Sequence, residues 1–178
     1  MRGSGSILTG GVSIFFGLIV GILVCKIVHE SGHALTASVL GGRIETVRMS
    51  FPRRFGFFSV SYSEPPGDWR KGLTILMGTG ATTIVAYLLV LLALGWRLPV
   101  WLRMGTLLAA SICAYDMFLY ATLPLLGLRR GLLFGGRHAE PVEGAELMGI
   151  PTGLFLIALS VSFAVFHTLA YRACRGRW

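Results

Sequence analysis

The sequence predicts an all-α integral membrane protein with about four transmembrane helices and a small β-hairpin-like loop between the first two. Three observations carry that prediction. The chain is 54% hydrophobic and only 13% charged, whereas a soluble domain carries about 25% charged residues. Its apolar residues gather into four runs, each long enough for the roughly 20 residues that cross a bilayer as helix. Trp69, Trp96, Trp101 and Trp178 fall near the ends of those runs, where interfacial aromatic side chains accumulate.

The first span covers residues 7–40, after a short polar stretch at 1–6 that is expected to be irregular. It leads straight into polar side chains without a small-residue cleavage site, so it reads as a span and not as a removable signal peptide. Gly41-Gly42 supplies its stop, because glycine readily takes the left-handed angles of a helix end. Residues 43–51 then alternate polar and apolar side chains, as a half-buried strand does. Residues 57–62 are the expected partner strand, with 52–56 as the connection; an ordinary basic loop is the competing reading. The second span covers residues 73–94 and holds Gly78-Thr79-Gly80-Ala81-Thr82-Thr83. Such small residues suit close helix approach or the lining of a groove. The third covers 100–126, with Pro99 suited to its start, and the fourth covers 152–171 after Pro151. Neither a repeat nor a linker divides the chain, so residues 1–178 read as a single polytopic membrane domain.

A net charge of +8 would suggest nucleic acid in a soluble protein. Here the basic residues sit between apolar runs, which points to topology and anionic headgroups, with no nucleic-acid partner. The loops after spans one and three carry more Arg and Lys than the opposite side, so the positive-inside rule makes the long loops cytoplasmic. Three cysteines, Cys25, Cys113 and Cys174, cannot build a disulfide framework and read as small packing residues. A thiolate ligand at Cys25, one turn before His29, is the lesser alternative.

The chemistry concentrates at His29-Glu30-Ser31-Gly32-His33, at the end of the first span. On a helix, H-E-x-x-H sets two imidazoles one turn apart on one face, where both can hold zinc. Glu30 lies about 100° further round, within reach of a metal-bound water as general base. Polar groups are expensive in a membrane, so their clustering argues for function. A catalytic zinc needs a third protein ligand. Asp116 is the first candidate, because an ionised carboxylate in an apolar run needs a compensating cation; an ion pair with Lys26 is the alternative. Glu140, Glu143 and Glu146 compete for the role, or else form a solvated acidic turn before the fourth span. Lys26 shares the helix side of His29 and Glu30 and could pair with Glu30 or Asp116, or stabilise an oxyanion. His167 reads as a packing histidine and His138 as a loop residue.

His29-Glu30-Ser31-Gly32-His33-Ala34-Leu35-Thr36-Ala37, followed by Leu40-Gly41-Gly42-Arg43-Ile44, resembles the signature of the site-2 protease family of intramembrane zinc metalloproteases. The resemblance implies a zinc metalloendopeptidase acting on membrane-spanning proteins, with Zn2+ on His29, His33 and an Asp, and Glu30 as base. The family's Asp lies in an Asn-Pro…Asp-Gly pattern, which this chain lacks. Pro124 keeps only the proline, Asp116 precedes it, and Glu143-Gly144 occupies the later slot. The third ligand therefore stands open between Asp116 and the three glutamates. An inactive membrane scaffold or zinc-binding relative is the alternative function. An ion transporter is weaker, because many transporters show repeat symmetry.

Overall fold

A computed structural model describes residues 4–49, 58–128 and 139–175. In chain order the elements are α1 (Ser4–Val39), β1 (Ile44–Met49), β2 (Phe58–Tyr62), α2 (Asp68–Gly95) and α3 (Val100–Thr122). A 3-10 turn (Pro124–Leu126), α4 (Glu140–Leu147) and α5 (Thr152–Arg175) complete the chain. Helices α1, α2, α3 and α5 are long and apolar enough to cross a membrane. The protein is thus an all-α membrane protein with a small two-stranded antiparallel sheet.

α1, α2 and α3 each pack against the other two, α4 docks on α2, and α5 lies against α2 and α3. Their shared core is made largely of small side chains: Cys25 from α1, Ala86 and Val90 from α2, Ala110, Cys113 and Ala114 from α3. Lipid tails are as apolar as these residues, so helices associate in a bilayer through close packing, which small side chains allow. The opposite faces carry exposed Phe15, Phe16, Leu88, Leu91 and Val161, as lipid contact requires. Cys25 and Cys113 are packing residues of this core.

Local chemistry accounts for most element boundaries. α1 ends where Gly41 takes φ 101° and the Gly42 N–H returns to the Ala37 carbonyl at 2.8 Å, a glycine-closed helix end. The helix begins at Ser4, earlier than expected. α2 begins at Asp68 rather than 73, because its polar first turn is helical while hydropathy alone registers only the apolar part. The third span breaks after Thr122 into the 3-10 turn, since Pro124 has no N–H to continue the helix. α5 runs on to Arg175, with Arg172 and Arg175 in its last turn, where cations complement the helix dipole. α4 is a separate element that hydropathy does not register. Its start is marked by Pro141 and its end by Gly149 at φ 78°, whose neighbour Ile150 donates to the Ala145 carbonyl at 2.9 Å.

The hairpin forms as the alternation predicts. β1 and β2 pair antiparallel with an irregularity between Ile44 and Thr46. β1 is exposed along its whole length, while Phe58, Val60 and Tyr62 turn a half-buried face inward and Ser59 and Ser61 face out. The connection expected at 52–56, together with His138 and Trp178, lies outside the described residues. Trp69, Trp96 and Trp101 are exposed at helix ends.

Candidate metal centre

His29 and His33 project from one face of α1 and are both buried. Their ring centroids lie 4.9 Å apart and their Nε2 atoms 3.2 Å apart. Each ring is held from behind by an acceptor. His29 Nδ1 lies 2.7 Å from Asp116 Oδ2, and His33 Nδ1 lies 2.8 Å from the Thr74 carbonyl. Acceptors at both Nδ1 atoms put the imidazole protons there and leave two Nε2 lone pairs facing each other.

A third electron-pair donor meets them. Glu140 Oε2, from the first turn of α4, lies 3.7 Å from His29 Nε2 and 3.8 Å from His33 Nε2. This oxygen is buried without a hydrogen-bond partner. Three such electron-pair donors converging repel unless a proton or a metal cation joins them. The triangle has the right size for one: a point equidistant from the three atoms lies about 2.1 Å from each, within the range of zinc–imidazole and zinc–carboxylate bonds. His29, His33 and Glu140 could therefore hold a metal ion. Burial opposes ionisation of Glu140, but with a protonated imidazole at the site the His29 hydrogen bond and the positive charge of His29, His33 and Lys26 outweigh it. Its pKa falls below the usual carboxylate range, and the carboxylate is the form the site favours.

Helix packing explains how residues so distant in sequence meet. Gly78 on α2 faces the His33 ring, and any Cβ at 78 would occupy the imidazole's place. The small residues of the second span thus serve close packing, and they bring the Thr74 carbonyl to His33. α4 seats on α2 through Gly144 and Gly72: a Cβ on Gly144 would lie 2.7 Å from the Gly72 oxygen and 2.9 Å from the Leu76 nitrogen. Those neighbours are backbone and cannot move aside. Gly144→Ala is expected to lift α4, carry Glu140 out of the site and destabilise the fold by about 1–3 kcal/mol. Thermal melting and metal content, measured on the same preparation, should fall together.

Asp116 stands elsewhere than expected. It is buried on α3, but the donor group consists of His29, His33 and Glu140. Its Oδ2 meets His29 Nδ1, on the side of the ring opposite Nε2, and also accepts from Thr82 Oγ1 at 2.8 Å. The cost of burying its charge is met by those hydrogen bonds, an arrangement that fixes a ligand's tautomer and orientation. Asp116→Ala is expected to weaken metal binding by about 10- to 100-fold without abolishing it. Chelator competition checks this, and an effect as large as that of losing Glu140 would mark Asp116 as a direct ligand.

Of the other acids, Glu143 is exposed and Glu146 accepts from Thr152 Oγ1. Cys25 lies outside the donor group. Lys26 pairs with Glu30 Oε1 and not with Asp116. Glu30 Oε2 accepts from the Val60 N–H at 3.2 Å, so the motif glutamate is held between its own helix and the sheet. Since Ser63 N–H bonds Arg43 across the hairpin, Val60 points its N–H to the other edge of β2, towards α1. His167 bonds within α5, from Nδ1 to the Phe163 carbonyl at 2.9 Å, and packs on Phe163.

Two aromatic rings complete the walls. Tyr120 lies 5.0 Å from the His29 ring, and Tyr62 stacks near-parallel on His33 at 6.1 Å. Burial, then the Glu140, Glu30 and Glu64 carboxylates, push the Tyr62 phenol up to about 12. Thr74 and Tyr120 carry no motif, whereas Thr82 lies in the small-residue stretch of the second span and Tyr62 ends the alternating strand. No family model matches the chain, and neither a curated protein nor a solved structure matches it.

Proposed function

We propose that this membrane protein is an intramembrane zinc metalloprotease similar to the site-2 proteases, hydrolysing peptide bonds of membrane-spanning proteins with Glu30 as general base. The observation that carries the reading is the buried convergence of His29 Nε2, His33 Nε2 and Glu140 Oε2 on a membrane helix, with the Glu30 carboxylate on the adjoining turn. Two imidazoles and one carboxylate, with no thiolate, are a ligand set used by catalytic zinc sites. Zinc held there would polarise the scissile carbonyl and make water nucleophilic near neutral pH. Glu30 takes the proton that the attacking water loses and delivers it to the leaving amine. Lys26 pairs with Glu30 and fixes one of its oxygens.

Substrate chemistry follows from the same surroundings. A transmembrane helix hides its peptide groups in its own hydrogen bonds, so a segment must become extended before attack. The edge of β2 that reaches Glu30 through Val60 offers backbone groups to such a segment by strand addition. The excess of Arg and Lys in the long loops supports a cytoplasmic position for the hairpin end of the bundle.

One observation favours a noncatalytic zinc-binding scaffold: both Glu30 oxygens already have partners. The test uses purified protein in lipid vesicles, loaded with zinc, and a synthetic single-span peptide carrying a helix-weakening Gly-Pro pair. Cleavage that stops when a chelator removes the metal is expected. Stoichiometric zinc without cleavage assigns the scaffold.

A further inference from the structure

Peptide hydrolysis puts negative charge on the scissile carbonyl oxygen, and a fixed hydrogen-bond donor near that oxygen is among the largest sources of rate. The polar groups around the site are mostly committed elsewhere. Lys26 is paired with Glu30, and the Val60 N–H is given to the same carboxylate. Asp116, Thr82 and the Thr74 carbonyl stand behind the imidazoles, on their Nδ1 side. Tyr120 lies against His29 and has an interaction of its own.

Tyr62 is different. It ends β2 on the strand's half-buried face, with Val60 two residues before it on the same face. One strand therefore brings both a backbone donor to Glu30 and a phenol to His33. The Tyr62 ring stacks on His33 at 6.1 Å with an interplanar angle of 24°, and its hydroxyl has no hydrogen-bond partner among the described residues. We propose that Tyr62 is a catalytic residue, its phenol donating a hydrogen bond to the oxyanion that develops on the scissile carbonyl. This rests on the protease reading above. Tyr62 keeps its proton throughout: the proton from water passes to Glu30 and then to the departing amine as the C–N bond breaks.

The test compares Tyr62 with Tyr62→Phe in zinc-loaded Glu30→Gln protein, where binding is read without turnover. The probes are a phosphinic peptide, whose tetrahedral oxyanion imitates the charged intermediate, and the same peptide with an ordinary amide. Tyr62→Phe is expected to weaken the phosphinic peptide by roughly 10- to 100-fold and the amide by less than about twofold, with zinc content unchanged. Equal weakening of both probes, or of neither, overturns the proposal, since a ring that only packs on His33 cannot tell a tetrahedral anion from a planar amide. If Tyr62→Phe loses zinc, the hydroxyl serves the metal site itself and not the oxyanion, and the proposal falls. Zinc uptake with no phosphinic-peptide binding to the Tyr62-containing protein brings down the protease reading itself, and the role of Tyr62 with it.

Discussion

Glu140→Ala is expected to empty the metal site while leaving the four-helix bundle folded. The substitution removes one of three converging donors and leaves two imidazole lone pairs 3.2 Å apart. Zinc sites with a full protein ligand set bind with about 10–16 kcal/mol, so one ligand's share corresponds to a loss on the order of 10²- to 10³-fold in affinity. The fold should tolerate the change, because Glu140 is the first residue of α4 and only half-buried, while Pro141, Val142, Gly144 and Ala145 make the buried contacts. The measurement is the metal-to-protein ratio after dialysis against a competing chelator, alongside helical content by circular dichroism. A ratio unchanged from the parent protein would mean that another acid completes the site. Asp116→Ala, expected to act ten times less severely or more, supplies the internal comparison.

Glu30→Gln is expected to have the opposite profile, with metal retained and cleavage lost. Glutamine keeps the shape of the side chain, and its carbonyl oxygen can still accept from the Val60 N–H. It cannot take a proton from water at neutral pH. General-base catalysis contributes about 10²- to 10⁴-fold, so kcat should fall by that order. Zinc content should stay the same, since Glu30 is outside the donor triangle. Lys26 loses its ionic partner, which costs little because the pair is partly exposed and such pairs contribute about 1 kcal/mol or less. Cleavage that proceeds unchanged in this variant would sink the proposed mechanism. The two substitutions together separate metal binding from proton transfer.

The elements most legible in the sequence are those set by short-range periodicity. The four spans, the helix running through the H-E-x-x-H motif, the glycine stop at Gly41 and the alternating hairpin all follow from residues within a few positions of one another. α4 was harder to see, though Pro141, the early acids and Gly149 mark its ends. It has eight residues and is too polar for a hydropathy window, so its glutamates read as the front of the next span. The role of Gly78 was equally ambiguous, because a small residue leaves room without stating what fills it. The structure fills that room with the His33 ring.

The sequence alone determined that two imidazoles share a face inside a membrane helix with a carboxylate beside them, because helical spacing is a local property. It also determined that Asp116 must have a compensating partner, because a buried charge is costly wherever it lies. Only the tertiary structure decided that this partner is the Nδ1 side of His29 together with Thr82, and that Glu140 meets the Nε2 atoms. Burial cost is met equally by a metal or by hydrogen bonds, so it cannot choose between them. The choice depends on which faces of α1, α2, α3 and α4 meet, and the steric fit between distant residues such as Gly72 and Gly144 governs that meeting.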